Sequence, residues 1–294
     1  MFKRVNETSK TIDDLMKFLF YRLKENNMTI TEVRMQKFIY KIKMELGKNH
    51  EIFNDLPYYW YFHGPYSEPV TNSFQNITSN YCNTTNNTSF ELKELYQNFE
   101  NNMLLNFPEI DLITKKIIKD REAFYNDLIP SIYKNYAPYP IMYPFRYNIF
   151  KIADDYSVLQ DFDVDNYINE FYKCEVQLPD DNFFTDFSDI YSQLSTNLDM
   201  INDNNNLLRY WSFLRNVIIQ LWKTFTSGVR VKYKDDYYNI KEHEWCSEFN
   251  KRVDNLSLIV DQTEKYITVN SSYNSYTHSQ KNILNSTIGS YLRR

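Results

Sequence analysis

The sequence predicts a mainly α fold with a minor β component: a helical N-terminal domain with an aromatic strand and turn, then a helical C-terminal bundle carrying one small β-hairpin. Three observations carry this. Apolar residues recur at three- and four-residue spacing over most of the chain. Only four glycines and nine prolines are available to interrupt it. The two segments that break the spacing, 57–70 and 130–144, are rich in aromatic residues and proline.

Ile12, Leu15, Met16, Leu19, Phe20 and Leu23 line one helical face and predict a helix over about residues 11 to 26. Thr29 and Glu32 then form a capping-box pattern, with Met28 and Val33 as its hydrophobic staple. The helix they start carries Met35, Phe38, Ile39, Ile42 and Leu46 and ends at Gly47. In Tyr58 to Phe62 the period shortens to that of a strand, and Gly64-Pro65 closes it with a rigid turn. Residues 71–89 are so rich in Asn, Ser and Thr that a surface loop is expected.

Helical spacing returns at Leu92, Leu95, Tyr96, Phe99 and Met103, and again at Ile110, Ile113, Ile117, Phe124 and Leu128. Pro130, Pro138, Pro140 and Pro144 impose an elbow. Shorter helices are expected over 147–156, 164–174 and 184–201, and a long one over 205–226 with Trp211, Leu214, Ile218, Leu221, Trp222 and Phe225 on its apolar face. Val229, Val231 and Tyr233 alternate up to Asp236 and predict a hairpin with 237–240. A last helix uses Trp245, Phe249, Val253, Leu256 and Val260. These elements group into a domain over 1–105, a second over 106–268 and a polar tail over 269–294.

With 43% hydrophobic and 24% charged residues in 294, the chain can bury a core, which excludes wholesale disorder. The net charge of -5 provides no global attraction to phosphate or anionic lipid, so nucleic acid would have to meet a local patch. Three alanines, four glycines and abundant Asn, Tyr, Ile, Lys and Phe are what an AT-rich genome encodes, so the 26 tyrosines are not in themselves a binding signal. No stretch reaches the roughly 18 apolar residues of a membrane span, and no membrane partner is expected. Cys82, Cys174 and Cys246 lie far apart and are odd in number, which suits a reducing, cytoplasmic setting.

Chemistry-bearing motifs are few. There is no G-x-S-x-G, Walker A loop or G-x-G-x-x-G, so neither a nucleophile elbow nor a phosphate cradle is expected. His243 and Cys246 are half of a zinc pattern without partners, and no metal or other cofactor is expected. The pairs Asp13-Asp14, Asp154-Asp155, Asp180-Asp181 and Asp235-Asp236 would have to converge to serve a metal-dependent hydrolase; most sit where helix starts or turns favour acids anyway. The aromatic stretch Tyr133 to Tyr147, with Lys134 and Arg146, could stack on single-stranded bases, but two cations are few. The first two helices and the strand-turn can also be read as a winged helix-turn-helix, with Arg34, Lys37, Lys41 and Lys43 as solvent-side cations interrupted by Glu32 and Glu45.

The order Leu15 to Leu23, then Met35-Gln36-Lys37-Phe38-Ile39-Tyr40, then Tyr59-Trp60-Tyr61-Phe62-His63-Gly64-Pro65-Tyr66, resembles the Panacea (SocA-like) antitoxin domain over about residues 8 to 105. The distinctive parts are Lys37 to Tyr40 and the Gly64-Pro65 context; the Asn/Thr-rich stretch after residue 73 and the long C-terminal region depart from the family's pattern. The resemblance implies a non-enzymatic, mostly helical module that binds another protein, a toxin or a defence component, and neutralises it or hands it on. Tyr58, Trp60, Tyr61, His63, Gly64, Pro65 and Tyr66 are the expected partner-binding residues, since rings on a stiff turn lose little entropy on docking. Alternation places Tyr59 and Tyr61 on one face and Tyr58, Trp60 and Phe62 on the other, so one set is expected beneath the first helices.

Overall fold

A computed structural model of the chain describes residues 2–86, 88–99, 106–154, 163–200 and 204–273. Helices dominate, and the strands among the described residues form two antiparallel two-stranded sheets, so the fold is mainly α with a minor β component. The chain divides into two compact units, each built from two stretches: Met1–Pro138 with Thr226–Cys246, and Tyr139–Phe225 with Ser247–Arg294. The first unit therefore closes inside the proline-rich segment and takes back a stretch from far downstream.

In the first unit, α1 (Phe2–Glu25) buries the apolar face expected of it, with Ile12, Leu15, Met16, Leu19, Phe20 and Leu23 all sunk in the core. Helix α2 (Glu32–Leu46) begins two residues later than the capping pattern suggested. Thr31 is its N-cap and accepts the Arg34 N–H, whereas the Thr29 N–H donates to the Tyr125 hydroxyl and the Thr29 carbonyl accepts from it. Val33, the proposed staple, is half exposed. Gly47 ends the helix at φ +78°.

The expected loop over 71–89 is largely ordered secondary structure: α3 (Glu68–Tyr81), then β3 (Cys82–Thr85) paired with β4 (Ser89–Leu92) through a turn at Asn86, φ +49°. Val70, Ser73, Phe74, Ile77 and Thr78 form a buried stripe, and Phe74 meets Phe20 of α1 at 5.6 Å. The polar residues do not unwind the helix because they bond along it. Thr78 donates to Phe74 O, Ser79 to Gln75 O and Asn80 to Asn76 O, each one turn back.

The single helix expected over 110–128 is broken into α4 (Pro108–Ile118) and α5 (Arg121–Asn126), because Asp120 caps the second piece by accepting the Ala123 N–H. Helix α6 (Leu128–Tyr136) follows, with Pro130 in its first turn where a missing N–H costs nothing. Phe38 of α2 meets Phe124 edge-on at 5.2 Å, which ties these short helices to the core. The helix expected over 92–103 is not found at 92–97, and its last residues lie outside the described ones.

The second unit holds α7 (Met142–Pro144) running through a π-turn (Phe145–Phe150) into α8 (Lys151–Asp154), then α9 (Val164–Glu175), α10 (Thr185–Asp199), most of α11 (Asn204–Lys232) and most of α12 (Glu242–Tyr273). Its core is aromatic: Trp222 stacks on Phe145 at 5.5 Å, and Phe171 on Tyr191 at 4.4 Å. The hairpin expected over 229–240 is absent. Val229 and Val231 are buried as part of α11, and Asp236–Lys241 is a 3-10 turn. Most of the polar tail lies outside the described residues.

Candidate protein-docking site

Strands β1 (Tyr59–Tyr61) and β2 (Gly64–Tyr66) pair as Tyr59↔Tyr66, Trp60↔Pro65 and Tyr61↔Gly64, leaving Phe62 and His63 as a two-residue turn. Gly64 is required twice over. Its φ is +90°, and a Cβ there would lie 3.2 Å from Cε2 of Tyr133. On its free edge β1 bridges antiparallel to Lys234, with the Trp60 N–H donating to Tyr233 O (3.1 Å) and the Asp235 N–H to Tyr58 O (2.9 Å). The hairpin thus has its outer edge covered by an isolated bridge to the downstream stretch.

Alternation sorts the rings as the sequence suggested. On one side, Tyr58 and Trp60 are 3% and 4% exposed. Tyr40 of α2 stands edge-on to both, accepts the Trp60 indole N–H at 3.2 Å, and has its own phenol pKa raised by burial. Tyr58 donates to Gln36 O. On the other side Tyr59 packs against Tyr66, Tyr238 and Trp245 at centroid distances of 5.7, 4.8 and 4.7 Å. The Arg230 guanidinium lies 4.6 Å from both the Tyr61 and Trp245 rings. Glu68 receives the Tyr59 hydroxyl and Lys241 Nζ. Burial works against its ionisation, but hydrogen bonds from the Tyr238 hydroxyl and Lys241 outweigh it and hold the carboxyl below its usual range.

Four polar residues of α2 hold the hairpin. Gln36 donates to Ser67 O and accepts the Ser67 N–H; Lys37 Nζ donates to Pro65 O at 2.6 Å; Tyr40 takes Trp60; Lys43 Nζ meets Leu56 O at 2.7 Å and Asp235 Oδ2 at 2.5 Å. Burial pulls the Lys43 ammonium below its usual pKa, and the Asp235 charge opposes this.

Two expectations are corrected here. Tyr58, Trp60, Gly64 and Pro65 are buried in the chain itself; of the seven expected partner-binding residues, His63 is exposed and Tyr61 and Tyr66 are half-buried. Lys37 and Lys43 are not solvent-side cations, being 2% exposed each, because the hairpin covers the flank of α2 that helical spacing assigned to water. Arg34 turns toward Tyr125, donating to its carbonyl at 3.0 Å with the guanidinium 4.9 Å from the ring, and Lys41 is half-buried. The four do not form an exposed basic stripe.

Tyr133 and Tyr136 pack on Trp60 and Tyr40, and Tyr139 packs on Phe184 and Phe225, so these rings are structural. His243 is exposed and Cys246 half-buried; among the described residues no group of three His, Cys, Asp or Glu side chains is placed to hold a metal ion. No helix among them is long and apolar enough to cross a membrane. Sequence reasoning missed Arg230, Asp235, Tyr238, Lys241 and Trp245, whose roles depend on contacts with residues far upstream. The surface that remains at the hairpin is its rim: Phe62, His63, Tyr61 and Tyr66, with Tyr233, Tyr237 and Ile240 of the adjoining downstream stretch 41%, 44% and 79% exposed. Comparison of the chain with protein-family models, with curated proteins and with solved structures finds no match.

Proposed function

We propose that this chain is a cytoplasmic protein-binding module, antitoxin-like or acting in defence or counter-defence, that holds a partner protein at the rim of its aromatic hairpin. One observation carries the reading: an exposed His63 and the half-buried rings of Tyr61, Phe62 and Tyr66 stand at the rim of a hairpin immobilised on both faces and along one edge, beside the exposed Tyr233, Tyr237 and Ile240 of the downstream stretch. Rings held this way dock without first being ordered, and a central one contributes about 2 kcal/mol or more to an interface. Support also comes from the two segments that carry the Panacea resemblance, Met35 to Tyr40 and Tyr59 to Tyr66, which are joined by hydrogen bonds from Lys37 to Pro65 O and from the Trp60 indole to Tyr40.

The test is co-purification from the native host. A single stoichiometric partner should accompany the wild-type protein and be lost from Phe62→Ala/His63→Ala, with thermal midpoints agreeing to within a few degrees. A partner retained by that variant overturns the reading. So does tight binding to random duplex DNA that weakens steeply with salt, which is the signature of a nucleic-acid protein.

A further inference from the structure

The edge of β1 away from β2 is a strand-acceptor site with a charge-reading position, filled in this chain by its own Tyr233–Asp235. Two backbone hydrogen bonds align the occupant, from Trp60 N–H to Tyr233 O and from Asp235 N–H to Tyr58 O. Between them a single carboxylate is read twice: Asp235 Oδ2 accepts from Lys43 Nζ at 2.5 Å and from the Tyr58 N–H at 2.6 Å. The reader is buried. The Lys43 side chain is 3% exposed, with Nζ 4.3 Å from the centre of the Phe53 ring. A strand without a carboxylate at this register would leave an ammonium buried beside that ring with only the Leu56 carbonyl, and the Tyr58 N–H without this acceptor. The edge therefore selects an extended segment with an acid at one position.

The occupant is a short irregular link between the end of α11 at Lys232 and the 3-10 turn beginning at Asp236. Tyr233 is exposed, and Lys234 and Asp235 are half-buried. Its contacts with the edge include a two-bond ladder and one carboxylate, groups that an extended peptide with an acid at that register can supply, while its Lys234 Nζ pairs with Glu242 at 2.8 Å.

We infer that Tyr233–Asp235 is a displaceable strand covering a docking edge, and that the partner segment which takes its place is an extended acidic peptide adding a strand to β1 through Lys43 and the Tyr58 N–H. The inference deepens the reading of the hairpin as a docking element and rests on it, by naming the chemistry of the segment the hairpin accepts and the chain's own competitor for it.

The experiment uses the full chain and a labelled peptide of residues 231–237, Val-Lys-Tyr-Lys-Asp-Asp-Tyr. The tethered strand competes at high effective concentration, so wild-type protein should bind the peptide weakly. In Asp235→Asn the tethered strand loses its charge, and the peptide should bind at least about tenfold more tightly than to wild type. Changing the fifth peptide residue from Asp to Asn should abolish that gain, as should adding Lys43→Met to the protein. Hydrogen exchange at the Trp60 amide should quicken in Asp235→Asn and slow again with peptide.

Equal peptide binding by Asp235→Asn and wild type overturns the inference, and so does an Asp235→Asn chain that has lost its helical circular dichroism, since a strand needed for folding is not displaceable. Adding Phe62→Ala/His63→Ala to Asp235→Asn should leave peptide binding unchanged. A failure of the rim to bind protein is therefore read separately from a failure of the edge.

Discussion

The first unit contains two hairpins of similar size and opposite character. In β1–β2 nearly every side chain is a ring or a turn former, and both faces and one edge are covered by residues of the same chain. In β3–β4 the outward positions Asn83 and Thr84 are exposed, Cys82 and Leu92 point inward, and a bridge from Ile30 to Phe90 holds its other edge. The difference teaches that a hairpin on a helical scaffold serves as a docking element when its interior rings are fixed elsewhere and only its rim projects. Burial of Trp60 is what makes Phe62 and His63 a rigid tip. The interior of the Asn/Thr hairpin is smaller, with Cys82 and Leu92 buried and Phe90 packed on Phe74, and its exposed strand positions Asn83 and Thr84 are small polar groups.

Truncation inside each hairpin should break this comparison most strongly. Trp60→Ala removes a ring packed edge-on against Tyr40 at 5.9 Å and Tyr133 at 5.4 Å. It should cost about 3–5 kcal/mol in urea unfolding. Asn83→Ala or Thr84→Ala in the second hairpin, both exposed, should stay within about 0.5 kcal/mol. Similar losses in the two would erase the distinction.

Next in size is the turn chemistry. Gly64→Ala faces both a positive φ and the Tyr133 ring 3.2 Å from the new Cβ, and should lose about 2 kcal/mol or more. Asn86→Gly at the other turn, φ +49°, exchanges a residue that tolerates this backbone for one that adopts it freely; it should change stability by less than about 1 kcal/mol. The two midpoints in denaturant decide between these outcomes.

Alkaline pH should act on the buried tyrosines, those around the first hairpin among them. Burial raises the phenol pKa of Tyr40, Tyr58, Tyr59 and Tyr238 above the ordinary 10.0. Below that value neither folded nor unfolded phenols ionise. Above it the unfolded chain releases protons the folded chain retains, so stability falls as pH rises. The buried share of the tyrosinate absorbance should therefore appear together with the loss of circular dichroism above pH 10.0, and ionisation of these rings with the helices intact would contradict their burial.

A smaller effect marks the second hairpin. Desolvation pushes the Cys82 thiol up to about 12, so at neutral pH it should be alkylated slowly in the folded protein and at the ordinary rate in denaturant.

Much of this was legible in local sequence. The spacing of Ile12 to Leu23 and of Met35 to Ile42 marks α1 and α2 because a helix needs only neighbours three and four residues away. The two faces of the aromatic strand followed from alternation alone. What composition hid was α3, whose Thr78, Ser79 and Asn80 satisfy carbonyls of their own helix, so polarity there does not mean a loop. What no local pattern contains is the downstream stretch. Asp235 reaches Lys43 across 192 positions and Tyr58 across 177, and those contacts make Lys43 a buried support, as the Pro65 carbonyl does for Lys37.

The most direct measurement is the affinity of the co-purifying protein for three purified forms: wild type, Phe62→Ala/His63→Ala, and Asn83→Ala/Thr84→Ala, all with near-identical thermal midpoints. The account predicts that the polar-hairpin variant binds as wild type does and that the aromatic-rim variant loses at least about tenfold in affinity. Equal affinity for all three would contradict it.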